Sequence, residues 1–166
     1  MKLRLQITKE PGIRFISHLE YQRSLEKAIR RADLPVAYSE GFNPHMKFSL
    51  ASALSVGVTS TCEFAEVRLV EERPLEELVT ALKAALPMGI RIVKADLADD
   101  KAPMLMASAQ GASYQVEVPC PEDPAAGIAA FNQASEVPYT KTRENPKPST
   151  SRTLFPRWTQ PGRMGS

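Results

Sequence analysis

Apolar residues recur along the chain first at the period of a strand and then at the period of a helix. Every second position from Leu3 to Ile7 is apolar, which predicts a half-buried strand over residues 2–9. A helix is predicted to follow, because Ser17 and Glu20 have the spacing of a capping box. Its apolar positions are Tyr21, Leu25, Ala28, Ile29 and Ala32.

The next residues predict two strands, a second helix and a fourth strand. The strands are expected over residues 47–53, 62–71 and 90–95, and the helix over 74–86 with Pro74 at its first position. This β-α-β-β-α-β order is that of the ferredoxin-like split βαβ motif. We therefore expect an α+β fold, with a ferredoxin-like domain in residues 1–98.

The second half of the chain repeats the start of this order less completely. A linker is expected over residues 96–111, a strand over 113–118, a helix from Pro124 capped by Asp123 with Ile128 and Phe131 facing inward, and a strand over 138–142. These segments predict a partial second α+β unit over residues 99–143. Residues 144–166 are rich in Pro, Ser, Thr, Lys and Arg and are expected to be a disordered tail.

Charge is distributed unevenly along the chain. Residues 1–58 contain nine basic and five acidic residues, whereas residues 59–100 contain five and nine. This asymmetry favours a protein with one face directed toward anions. No apolar run reaches membrane-spanning length and no signal segment is recognisable, so a cytoplasmic protein without a membrane partner is expected. Cys62 and Cys120 are expected to be reduced, buried thiols.

Basic side chains form a stripe along the first helix. It consists of Arg23, Lys27, Arg30 and Arg31, and Lys2, Arg4, Arg14 and Lys47 lie in the same half of the domain. Such a stripe is either a solvated helix face, partly neutralised by Glu20 and Glu26, or a surface that binds the phosphates of RNA.

A constrained loop follows the first helix and contains the second group of candidate RNA-binding residues. Gly41 permits a positive φ, and the Asn43-Pro44 pair favours a turn. The aromatic pair beside the turn could stack on bases. The candidates here are Tyr38, Gly41, Phe42, Asn43 and Lys47. The loop is interpreted either as a packed corner or as a site.

His18 and His45 are the candidate catalytic residues. If they converged, one could act as general base and the other as general acid in metal-free RNA cleavage. The alternative is that His18 bonds locally and His45 braces its own turn. No metal site is predicted, since two histidines alone would leave an ion under-coordinated. No phosphate-binding glycine loop or cysteine triplet is present, so no cofactor is predicted.

Two uncommon strings in this region carry a resemblance to a known family. RFISHLE, followed by LPVAYSEGFNPHMK, resembles the bacterial radical-SAM-associated domain family of unknown function, with departures at Glu20 and Met46. The resemblance covers most of residues 1–100. It implies an accessory domain that works with a radical SAM enzyme, which in some cases is cobalamin-binding.

The resemblance and the charge pattern together predict an accessory domain that presents RNA to such an enzyme. Two alternatives remain. The first is a metal-independent endoribonuclease similar to the CRISPR repeat-processing enzymes, and the second is a protein-interaction module that does not touch RNA.

Overall fold

The structure, a computed structural model, describes residues 1–108, 111–117 and 123–134 of the chain. The chain divides into two compact units, Met1–Ser113 and Tyr114–Ser166. The first unit contains strands β1 (Lys2–Lys9), β2 (Phe48–Leu50), β3 (Ser60–Arg68) and β4 (Ile92–Ala98), with helices α1 (His18–Arg31), α2 (Leu75–Ala85) and the short α3 (Leu105–Ser108). A 3₁₀ turn, Pro11–Ile13, lies between β1 and α1.

The four strands form one antiparallel sheet in the order β2-β3-β1-β4. With the element order β1-α1-β2-β3-α2-β4, this is the split βαβ arrangement expected from the sequence. The prediction of an α+β fold is confirmed. In the register, Leu5 of β1 lies between Ala65 of β3 and Ala95 of β4, so these three side chains share one face.

Both helices pack on that face and form the core with it. The buried side chains come from β1, β3, α1 and α2, and they include Leu3, Leu5, Ile7, Val67, Leu25, Ile29, Leu78 and Leu82. The apolar positions chosen from the helical period are thus the ones that face the sheet.

Strand boundaries differ from the prediction by a few residues. β2 has only three residues instead of the seven expected over 47–53, and β4 runs to Ala98 rather than ending at residue 95. Helix α2 begins at Leu75, one position later than predicted, so that Pro74 is its N-cap residue and not its first helical residue. Alternating polarity marks a strand well, but cross-strand pairing decides where it ends.

The opposite face of the sheet carries an ion-pair cluster. Lys2 Nζ lies 3.4 Å from one carboxylate oxygen of Glu66, and Arg4 Nε lies 3.0 Å from the other. Lys2 Nζ also donates to the carbonyl of Ala102 at 2.8 Å, and Arg4 donates to the carbonyl of Pro103. Residues 99–103, expected to be linker, therefore cross this face and extend the first unit beyond residue 98.

The described part of the second unit contains helix α4 (Ala125–Gln133). The predicted cap contact is present, because Asp123 Oδ1 accepts from the N–H of Ala125 at 3.0 Å. Ile128 and Phe131 are half-buried, and the other helix residues are exposed. The strand expected over 113–118 is absent from residues 113–117, which have no strand partner and expose both Tyr114 and Val116.

Several predictions fall on residues outside the described ranges: the strand over 138–142, the tail from 144, and Cys120. Cys62 is described and is exposed, so the expectation of a buried thiol is wrong for this residue. Alternation along β3 places it on the face away from the helices. Within the described ranges, no helix has both the length and the apolar content needed to cross a membrane.

Candidate nucleic-acid interface

Helix α1 begins with the predicted capping box. The backbone N–H of Glu20 donates to Ser17 Oγ at 3.2 Å, and the N–H of Ser17 donates to the Glu20 carboxylate at 2.8 Å. The second of these bonds is the main reason that the pKa of Glu20 is lowered. His18, the first residue of the helix, is half-buried beside the cap.

Three basic residues of α1 form an exposed row, here called the cation row: Arg23, Lys27 and Arg30. They lie on the side of the helix opposite its buried residues. No described residue forms a hydrogen bond or ion pair with any of the three side chains. Glu26 instead accepts from Gln22 Nε2 at 3.0 Å, and Glu20 is held by the cap. The neutralisation considered from the sequence is therefore not made by direct contacts.

Arg31 differs from the cation row, although the sequence groups it with them. It lies about 100° round the helix from Arg30. Its Nη2 donates to the carbonyl of Ala85 at 2.7 Å. Ala85 is the last residue of α2, where carbonyl groups lack partners within the helix. Arg31 thus caps α2, and the row contains three cations rather than four.

The constrained loop is the end of a small hairpin, here called the 37–47 hairpin. Its base is closed by the N–H of Lys47, which donates to the Ala37 carbonyl at 2.8 Å. One step further out, the N–H of Ser39 donates to the His45 carbonyl at 2.8 Å, and the N–H of His45 donates to Ser39 Oγ at 2.9 Å. These bonds join the two legs of the hairpin, residues 37–39 and 45–47, and residues 40–44 form its tip.

The tip is fully exposed to solvent. Gly41 has φ of 116°, a region that other residues rarely adopt, and Phe42 has a relative accessibility of 112%. Asn43 and Pro44 are also exposed, as is Lys47 at the base. Tyr38 pairs with Met46 in an isolated bridge and leaves 42% of its surface accessible. The hairpin therefore presents one aromatic ring at its tip and a second near its base.

His18 and His45 lie at opposite ends of the sheet. Near His18, Tyr21 Oη donates to the carbonyl of Thr8, toward the end of β1. At the other end, the N–H of Arg68 donates to the carbonyl of Lys47, and Arg68 is paired with Lys2. Six residue steps along β1, about 20 Å, separate these two levels.

The joint role of the two histidines as acid and base is therefore not supported by the geometry. Neither imidazole has a hydrogen-bond or ion-pair partner among the described residues. The sequence could not show this separation, because it depends on the direction in which α1 returns along the sheet.

Lys2 and Arg4, which the sequence grouped with the basic side chains of the same half of the domain, do not add positive charge beside the cation row. Both are held by Glu66, a buried carboxylate on the face of the sheet away from α1. Glu66 was not singled out in the sequence, where it is one of nine acidic residues in 59–100. Only the β1–β3 register, which places Arg4 opposite Glu66, identifies it.

The described residues contain no group of three or more His, Cys, Asp or Glu side chains placed to hold a metal ion. The arrangement at the cation row and the hairpin is one of exposed cations and exposed aromatic rings. Such groups can bind an extended anion with flat substituents, as in a single nucleic-acid strand.

Comparison with known proteins identifies the family. Residues 2–154 match the family described as an uncharacterized protein conserved in bacteria (DUF2344), and the chain belongs to that family. No curated protein matches the sequence.

Proposed function

We propose that this DUF2344 protein is an accessory domain that binds RNA and presents it to a partner enzyme. The observation that carries the proposal is the cation row, in which Arg23, Lys27 and Arg30 are exposed and form no direct ion pair with any described residue. Arg23 acts on an acidic group only from a distance, as a minor cause of the lowered pKa of Glu20. Six other basic side chains of the described chain do form ion pairs, namely Lys2, Arg4, Arg68, Arg73, Arg91 and Lys94. Unpaired cations on one helix face are suited to phosphate groups, whose counterions they displace.

The spacing of the row suits a phosphate backbone. Along the helix axis, Lys27 lies about 6 Å and Arg30 about 10.5 Å from Arg23. Each side chain is long and flexible, so that all three can reach successive phosphates of one strand. Binding of this kind does not read sequence.

The 37–47 hairpin adds a stacking group. Phe42 exposes its ring at a tip whose two ends are joined by the hydrogen bonds between Ser39 and His45. Burying the ring against a base removes this apolar surface from water, and the closed hairpin limits the conformational freedom that is lost.

The partner in this proposal is a radical SAM enzyme, which in some cases is cobalamin-binding, as the sequence resemblance implies. Such a role places the protein in the cytoplasm. The described residues would supply binding and orientation, and the partner would supply the chemistry. Of the two alternatives, the endoribonuclease requires His18 and His45 to act together, whereas a protein-interaction module requires only the exposed tip.

The test of RNA binding is the salt dependence of affinity, measured by fluorescence anisotropy with a single-stranded RNA of mixed sequence. Replacing the three cation-row residues by Gln should lower the slope of log K against log salt by about 2, since each lost contact contributes roughly 0.7. Gln at Lys83 and Lys101, two exposed cations outside the row, should leave the slope unchanged. Absence of binding by the parent protein at low salt would refute the proposal.

Phe42→Ala separates stacking from charge. It should weaken RNA binding by an amount corresponding to about 1–3 kcal/mol and leave the salt slope intact. Phe15→Ala is the matched control, because Phe15 is an exposed aromatic residue at the other end of the sheet. If Phe42→Ala instead abolishes capture of the partner enzyme and RNA is not bound at all, the interaction-module alternative is correct.

A further inference from the structure

Strand β4 forms an edge of the sheet and has no strand partner on its outer side within the described residues. It is seven residues long, whereas the strand at the other edge, β2, has three. Residues 99–103 leave the end of β4 across the face of the sheet, where Lys2 holds the Ala102 carbonyl, so they do not cover this edge. The outward N–H and C=O groups of β4 are a template for pairing with another strand.

Apolar side chains along β4 are also uncovered. Val93 is 55% and Leu97 is 36% exposed, although Leu97 pairs with the buried Leu3 of β1. Lys94 and Asp96 project from the face opposite to that of Leu97 and form an exposed ion pair at 3.1 Å.

We propose that β4 is a self-association surface, at which a second copy of this chain pairs antiparallel through a two-fold axis at Ala95. The sequence of β4 is self-complementary about that residue. In this register Lys94 lies opposite the Asp96 of the second copy. The pairing of β4 with β1 shifts between Ile92 and Lys94, so Val93 is left out of the regular alternation and the self-complementary segment is Lys94–Asp96.

Neighbouring registers are disfavoured by the same charges. Directly opposite residues of the two copies must point to the same face of the joined sheet. A two-fold axis perpendicular to the sheet therefore has to pass between two copies of the same residue, and the neighbouring choices for that residue are Lys94 and Asp96. An axis at Lys94 would place the two lysines opposite each other, and an axis at Asp96 would do the same for the two aspartates. The axis at Ala95 gives two attractive pairs, and it joins two four-stranded sheets into one of eight strands.

The contact is small, since only one strand of each copy takes part. We therefore expect a reversible dimer whose population rises with protein concentration, as is usual for interfaces below the standard size. Sedimentation velocity of the full chain over a range of concentrations should show this equilibrium.

Charge substitution provides the specific test. Lys94→Glu and Asp96→Lys should each raise the dimer dissociation constant about tenfold, because both symmetry-related pairs change from attraction to repulsion. An equimolar mixture of the two variants should restore association, since every cross-strand pair in the mixed dimer is again of opposite charge. The double variant should also dimerise like the parent.

Loss of the Lys94–Asp96 pair within one chain would not produce this pattern, because mixing two chains cannot restore it. Each variant's unfolding curve serves as the folding control, and the exposed position of both residues predicts little change. A parent protein that stays monomeric at every concentration overturns the proposal. So does a dimer whose dissociation constant is the same in all the variants.

Discussion

Gly89 provides a prediction in which two energetic effects can be measured separately. It lies at the turn before β4, is buried, and has φ of 92°. Its carbonyl accepts from the N–H of Glu10 at 2.9 Å, so that the turn is joined to the end of β1. A Cβ at this position would lie 2.8 Å from Cγ2 and 3.0 Å from Cγ1 of Ile13. Gly89→Ala therefore introduces both backbone strain and a steric overlap.

The strain of an L-residue at positive φ costs about 1–2 kcal/mol. The overlap adds a cost typical of overpacking, about 1–3 kcal/mol, which depends on how far the half-buried Ile13 side chain can shift. We expect Gly89→Ala to lower the free energy of unfolding by about 2–5 kcal/mol in total. Urea denaturation followed by far-UV circular dichroism measures this quantity.

Two other glycines are matched controls. Gly57 has φ of 87° and no atom within 4 Å of its added Cβ, so Gly57→Ala should show the strain alone. Gly12 has neither feature, and Gly12→Ala should be neutral or stabilising by up to about 1 kcal/mol. The change in unfolded-state entropy is common to all three substitutions and cancels in their differences.

The combination of Ile13→Ala with Gly89→Ala should recover the overlap cost but not the strain, giving a coupling of about 1–3 kcal/mol. If Gly89→Ala and Gly57→Ala were equally destabilising and no coupling were found, the turn would not be limited by Ile13, and the reasoning would be refuted.

Three further predictions concern the core, the buried phenol and the hairpin. Leu25→Ala should lower stability by about 2–5 kcal/mol, whereas Leu19→Ala, exposed on the same helix, should have little effect in the same urea titration. Burial, with a smaller effect of Glu63, raises the pKa of Tyr21, so stability should fall as pH rises above about 10, and less so in Tyr21→Phe. His45→Ala should leave the melting temperature nearly unchanged, because only the His45 backbone closes the hairpin; a large decrease would show that the loop is a packed corner.

The fold of the first unit could be predicted because its signals are local. Alternation in β1, the capping box at Ser17 and the apolar positions of α1 each depend on residues close in sequence. Together they specify the element order, and that order has few compact solutions. The exposed cations at Arg23, Lys27 and Arg30 follow from the same helical period.

The features that the sequence did not reveal depend on contacts between distant residues. Arg31 is removed from the cation row by Ala85, 54 positions away, and Lys2 is neutralised by Glu66 on another strand. Residues 113–117 show the converse, because their alternating pattern predicts a strand but they have no strand partner among the described residues and do not form one. His18 and His45 could not be placed relative to each other without the direction of α1.

The backbone of Arg68 has a consequence for how the hairpin moves. Its N–H donates to Lys47 and its carbonyl accepts from Ala37, so both legs of the hairpin are bonded to one residue of a central strand. The legs cannot separate without opening β3 itself. Amide exchange at Ala37 and Lys47 should therefore follow the global unfolding of the domain, while the tip amides exchange freely. A force applied to Phe42 by a bound partner would therefore reach the end of the central strand β3 through the two hydrogen bonds of Arg68.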